Sequence, residues 1–332
     1  MKKILPILLM IVIFSGCTAA GLQVNERAFV QLFGMEKSGD VYRVYLQLLE
    51  NETVDGEGIT ILGAVADAEL KQGKKLFLGQ MKLFVIGEGL TNLSEELNVF
   101  LSGDICPACP ILYSEKPEEI ITSEIPAEEI LAELNVYSSQ GKSILTPLTE
   151  IAAKSAGTYT SAAVPKVNFS DKAISFDGLV LISKHGKFGE LSNDDALGVK
   201  LLCGGLSNSD RITVSLNIDG EKVSGEILKI KAKPKLHLLD GNLVLSENIK
   251  ISADITEKPL DMDEGAAIEA ITVYVERAVY EAYSITVWEL DTDVFGLGKL
   301  IRKHAGAIYD SYTENPKAFR QNSIIDIEVE TI

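Results

Sequence analysis

Arg211-Ile-Thr-Val-Ser-Leu-Asn-Ile218, Val223-Ser-Gly-Glu-Ile-Leu-Lys-Ile-Lys231 and Asn242-Leu-Val-Leu-Ser-Glu-Asn-Ile-Lys-Ile-Ser-Ala-Asp-Ile255 are three successive strand-like runs. Asp219-Gly220 and Asp240-Gly241 are turn pairs that suit hairpins between them. Asp263 then stands where a helix N-cap belongs, ahead of Ile268, Ile271, Val275, Val279 and Ala282 at helical spacing. Upstream, Ile174 to Ile182 and Lys187 to Glu190 are further strands, and Asn193 to Leu202 is a short helix. The chain closes on Ile324-Ile-Asp-Ile-Glu-Val-Glu-Thr-Ile332, an alternating strand. Strands gathered in runs, with helices on one side of the sheets, make the chain α+β: a multi-domain protein of mixed sheets with packed helices.

Toward the N-terminus, Ala28 to Met35 and Val41 to Leu49 are strands joined by the hairpin composition Glu36-Lys-Ser-Gly-Asp40. Thr60 to Lys71 has a helical pattern that Gln72-Gly73-Lys74-Lys75 ends, with glycine past the last turn. Met81 to Ile86 is a strand, and Ser94 to Leu101 a short helix. From Pro117 the texture turns helical: Pro117-Glu-Glu-Ile-Ile and Pro126-Ala-Glu-Glu-Ile-Leu start with proline followed by acids. Those acid pairs suit the positive end of a helix better than a catalytic centre. Thr149 to Ala156 is another short helix, and Gly157 to Ala163 a small-residue linker. These shifts divide the chain into an N-terminal α/β domain (26–112), a helical middle domain (113–170) and a C-terminal α+β domain (171–332).

The first residues, Met1-Lys-Lys-Ile-Leu-Pro-Ile-Leu-Leu-Met-Ile-Val-Ile-Phe-Ser-Gly-Cys17, set a charged start, an apolar run from Ile4 to Phe14 and the small pair Ser15-Gly16 before a cysteine. This is the layout of a secretory signal over 1–16. As a helix the apolar run reaches only ~16 Å, short of the ~30 Å of a bilayer core. Cys17 after the small pair resembles the lipobox of bacterial lipoproteins, with cleavage after Gly16 and a diacylglycerol on the Cys17 thiol. Phe14 stands where lipoboxes commonly carry leucine. Ordinary secretion with an incidental Cys17 is the alternative. Residues 17–25 are then a lipid-anchored tether.

The chain has 332 residues and a formal net charge of -17. Losing Lys2 and Lys3 with the leader makes the remainder more acidic still. Such a surface repels phosphate backbones and anionic headgroups, which excludes nucleic acid as a partner and leaves membrane attachment to the lipid. Two acyl chains suit that need, because one chain binds only marginally. Cys106, Cys109 and Cys203 remain after Cys17. Cys106-Pro-Ala-Cys109 has redox spacing, but Pro107 and Pro110 interrupt it and Ile111-Leu-Tyr113 follows as a strand, so a loop with idle or locally paired thiols is the simpler reading. His185, His237 and His304 stand far apart, without ligand spacing. Phe295-Gly-Leu-Gly298 does not follow a strand in a βαβ unit, and no P-loop or nucleophile elbow occurs. The residues therefore predict no cofactor, no metal site and no enzymatic activity.

Spaced blocks along the chain resemble the Ger(x)C family of spore germination lipoproteins, the C subunits of nutrient germinant receptors. They include Asn25-Glu-Arg-Ala-Phe-Val30, Gly73-Lys-Lys-Leu-Phe-Leu-Gly-Gln-Met-Lys-Leu-Phe-Val-Ile-Gly-Glu88, Phe176-Asp-Gly-Leu-Val-Leu-Ile-Ser-Lys-His-Gly-Lys-Phe-Gly-Glu-Leu-Ser192 and Asp293-Val-Phe-Gly-Leu-Gly298. The chain departs from the family at Thr18, Gln80, Ser102 to Asp104, Tyr309 and Tyr312. The resemblance implies a three-domain protein outside the cytoplasmic membrane, in spores at the inner membrane, assembled with two membrane-embedded subunits. Two other readings compete with it: a solute-binding lipoprotein of a transporter, and a tethered thiol oxidoreductase using Cys106 and Cys109.

Overall fold

Alternating and continuous apolar runs need a layer to cover them, and the protein builds two such layers. Its structure, a computed structural model, describes residues 26–101, 105–156, 160–204, 211–218, 220–239 and 242–331. In chain order, β1 (Arg27–Ser38) and β2 (Val41–Leu48) form the expected hairpin and β3 (Thr53–Gly58) adds to β2. There follow α1 (Ile61–Gln72), β4 (Lys75–Phe77), β5 (Leu83–Ile86), α2 (Leu93–Leu101), β6 (Ile111–Tyr113), α3 (Pro117–Ile121), α4 (Ala127–Ser139) and α5 (Leu148–Ser155). A meander of β7 (Ala162–Ser170), β8 (Ala173–Ser183) and β9 (Gly186–Leu191) leads to α6 (Asp195–Leu202). The chain ends with β10 (Ile212–Ile218), β11 (Glu221–Leu239), β12 (Asn242–Glu257), α7 (Glu264–Tyr283), α8 (Leu297–His304), α9 (Tyr309–Glu314), α10 (Pro316–Gln321) and β13 (Ile324–Thr331).

The fold is α+β. One sheet has nine strands in the order β3-β2-β1-β5-β6-β7-β8-β9, with β4 beside β1; the other has four, β10-β11-β12-β13. The centre of the large sheet, β1-β5-β6-β7, is parallel and its wings are antiparallel. Helices cover both of its faces, not one as the patterning suggested. Ile61 of α1, Leu97 of α2 and Ile151 of α5 pack on one side, and Ile120 of α3 and Ile130 of α4 on the other. The physical reason lies in β5, where Leu83, Phe84, Val85 and Ile86 are all buried, so no face remains for water. Phe33, Phe84 and Phe100 meet there with centroids 4.9 to 5.1 Å apart.

Local chemistry sets the element ends. Thr60 Oγ1 accepts the Gly63 N–H at 3.0 Å to start α1, and Gly73 ends it at φ 72°. α1 lies so close to β3 that a Cβ on Gly56 would sit 2.1 Å from the Ala64 carbonyl oxygen. Three strands, β3, β4 and β7, have no counterpart among the expected elements. Gly56 and Gly58 dilute the apolar signal of β3, and Pro165 interrupts β7, which starts at the end of the expected linker and runs on to residue 170 of the expected helical middle domain. Pro165 adjoins the register shift between Pro165 and Val167, a place where a missing N–H is tolerated.

In the small sheet, Asp219, Asp240 and Gly241 lie outside the described residues, but the pairs Ile218 to Glu221 and Leu239 to Asn242 put both hairpins in the expected register. β11 runs past Lys231 and through Pro234, which pairs with Glu247 of β12 beyond the reach of β10. There β11 has a neighbour on one side only, the edge position in which proline is tolerated. α7 buries Ile271, Val275 and Val279 against this sheet, and the Asp263 carboxylate accepts the Gly265 N–H at 2.9 Å.

Candidate functional site

Gly16 and Cys17, the predicted cleavage and lipidation residues, lie outside the described residues. Described structure begins at Glu26, one residue ahead of β1, so any tether enters the fold at the start of the large sheet. Among the described residues no helix is long and apolar enough to cross a membrane.

Cys106 and Cys109 are free thiols in a turn closed by the Cys109 N–H donating to the Cys106 carbonyl at 3.0 Å. Burial, helped by Cys106, pushes the Cys109 thiol up to about 12. A thiol held protonated at neutral pH is a poor nucleophile, the opposite of what thiol–disulfide exchange needs. Cys203 is an exposed residue, but its Sγ lies 3.8 Å from the Val294 carbonyl, and local desolvation raises that thiol to about 11. His185, His237 and His304 fall on the β8–β9 turn, β11 and the end of α8, so the fold does not gather them. Among the described residues no group of three His, Cys, Asp or Glu side chains could hold a metal ion.

The junction between the two halves is a densely hydrogen-bonded polar site. Asp293 is buried, and its carboxylate accepts the N–H groups of Gly296 and Leu297, both at 2.7 Å, and of Gly298 at 3.0 Å. It thereby closes the loop that opens α8, where Gly296 takes φ 79°, a conformation open to glycine. The Asp293 carbonyl accepts the Ser161 N–H at 3.2 Å, the Ser161 and Thr292 hydroxyls are hydrogen-bonded to each other, and Lys154 Nζ donates to the Val294 carbonyl at 2.9 Å. The glycine-rich block Asp293 to Gly298 thus clamps the β7 entry to the C-terminal half. The block itself was visible in the sequence, but its partners Ser161 and Lys154 are over a hundred residues away and carry no local signal.

Two further buried ionisable groups escaped the pattern. Arg320, fully buried, donates to Asp291 Oδ1 through Nε at 3.0 Å and Nη2 at 2.8 Å. Glu247 lies fully buried on the inner face of β12 between Leu245 and Ile249, and neither carboxylate oxygen makes a well-formed hydrogen bond. Burial raises its pKa to about 8, against a smaller opposing pull from the Lys233 backbone.

Concavities also open between the described residues. A groove of about 960 Å³ runs between β10 and α7. A cleft of about 580 Å³ opens at the carboxyl ends of β5 and β6, beside Tyr113, His185 and Phe188. A hollow of about 220 Å³ lies by Lys154, Lys200 and Cys203. The arrangement offers surfaces for binding.

Two family models match the chain: "Spore germination protein N-terminal domain" over residues 22–168 and "Spore germination B3/GerAC like, C-terminal" over residues 177–332. A solved structure, the crystal structure of the GerBC protein, is similar in fold, with a TM-score of 0.63 over 90% of this chain and 96% of that one at 16% identity. No curated protein sequence matches the chain.

Proposed function

The chain belongs to the GerAC-like family of spore germination proteins, the C subunits of germinant receptors, and on that premise we propose that it is the lipid-anchored, non-catalytic subunit of a nutrient germinant receptor. The observation that carries this reading is the match of both halves, 22–168 and 177–332, in the order the family requires. In this reading the leader is cut after Gly16 and Cys17 carries the diacylglycerol. The tether to residue 25 then holds the fold at the outer face of the cytoplasmic membrane, and in spores at the inner membrane. The protein acts by assembly with two membrane-embedded subunits, presenting its sheet edges and grooves to them. The acidic surface is consistent with attachment through acyl chains rather than through charge.

Deletion of the gene tests the role: germination on one nutrient class should be lost while vegetative growth continues. Normal germination on every nutrient overturns it. Fatty-acid labelling of the wild type, absent in Cys17→Ala, tests the anchor separately. Tight calorimetric binding of an amino acid or sugar by the purified protein would favour the solute-binding reading instead.

A further inference from the structure

Sheet edges are hazards that proteins ordinarily blunt with charge, proline, bulges or a covering element. In this protein the ends of the large sheet obey that rule: β3 carries Asp55 and Glu57 and lies under α1, and β9 carries Lys187 and Glu190. So does one end of the small sheet, where β13 carries Asp326, Glu328 and Glu330. The other end does not. β10, Ile212-Thr-Val-Ser-Leu-Asn-Ile218, contains no charge and no proline, and it pairs with β11 through seven consecutive residues without a bulge.

The space beside that edge has the shape of a missing strand. The 960 Å³ groove is walled on one side by β10 and on the other by Ala266, Ala270, Val273 and Arg277 of α7. Ala266 and Ala270 are small enough to leave room, and Val273 is 55% exposed although it sits in the middle of the groove. The flank of α7 from Ala266 to Glu281 is about 22 Å long at 1.5 Å per residue. Seven residues of β10 extend about 23 Å, so helix and strand frame a slot for one extended segment of equal length. The backbone is in phase for it. The Thr213 N–H points away from β11, since it donates to Gln140 Oε1 at 3.1 Å, and alternation aims the N–H groups of Ser215 and Asn217 the same way.

Charge narrows the occupant. At the Thr213 end the charges are matched in pairs, Lys142 with Asp194 at 2.5 Å and Arg277 with Glu281 at 3.7 Å. Toward Met262 the groove carries Glu269, for which no ion pair is found among the described residues. We infer that β10 accepts, as a fifth strand, an extended segment of a partner subunit, with apolar side chains at alternate positions against Ala266, Ala270 and Val273 and a basic residue beside Glu269. This rests on the receptor-subunit reading above, because it takes the partner from that assembly.

Hydrogen–deuterium exchange tests it on the full-length protein, isolated and in the membrane complex that purifies with it. The Ser215 and Asn217 amides should exchange about tenfold more slowly in the complex. Ser215→Pro removes an outward donor at an edge position, and Val273→Lys puts a charge into the groove from an exposed helix position. Val273→Lys should keep the wild-type melting temperature and reduce recovery of the complex by about tenfold. Ser215→Pro should do the same if it folds. Unchanged exchange at Ser215 and Asn217 in an intact complex, or full assembly of Val273→Lys, overturns the docking site while the receptor-subunit reading stands. Recovery of the wild type without any membrane partner overturns both. Slowed exchange that appears in the isolated protein and grows with its concentration assigns the edge to a second copy, and overturns the choice of partner.

Discussion

The nine-stranded and four-stranded sheets face the same task, hiding apolar side chains on a twisted layer, and they meet it with different chemistry. The large sheet is covered on both faces and its centre is aliphatic and aromatic, as in Leu83, Phe84 and Val85. The small sheet is covered by α7, and an ionisable group, Glu247, interrupts its inner face. The edges differ as well, since the large sheet ends in charged strands and the small one ends at β10 without charge or proline. The difference teaches where sensitivity to conditions and to partners should lie: in the C-terminal half, because charge and unpaired backbone respond to solvent and binding while buried carbon does not.

The largest expected effect breaks the comparison at Glu247. Its carboxyl has a pKa of about 8 in the folded protein against an ordinary 4.5, so between those values the folded chain keeps a proton that the unfolded chain has lost. The contribution is full below pH 4.5 and is lost as pH rises to about 8, by up to about 5 kcal/mol. Urea unfolding at pH 5 and pH 8 should show this decline in the wild type and a much flatter response in Glu247→Gln. Equal slopes for the two proteins would remove the contrast between the sheets.

Leu83→Ala sharpens the other side. It opens a cavity in the centre of the large sheet and should cost about 3 kcal/mol, by the same amount at both pH values. At the junction, Asp293→Asn keeps one acceptor but loses the charge that serves three N–H groups, and denaturant titration should show a loss of about 2 kcal/mol. The smallest effect belongs to the surface of the large sheet: Thr60→Ala deletes the α1 cap and should cost about 1 kcal/mol in the same measurement.

Much of this architecture is legible residue by residue. Thr60, Gly73 and Asp263 mark helix ends by chemistry that acts over three or four residues, and all three do so in the structure. The hairpin pairing of β1 with β2 follows from alternation, and the blocks that suggested the family fall in the two matched regions, save Phe176 at the boundary of the second. β7 was hidden because Pro165 breaks its pattern, and β3 because two of its six residues are glycine. Gly16 and Cys17 were legible as a processing signal and stand outside the described structure.

By itself the sequence determined the periodicities, the caps, the acidic surface and the α+β class, since each depends on neighbours a few residues apart. Only the tertiary structure decided that helices cover both faces of the large sheet, that Asp293 meets Ser161, that Glu247 points into carbon and that β10 is left at an edge. Those outcomes depend on which strand lies beside which, and strand order is fixed by long-range burial that no local pattern encodes.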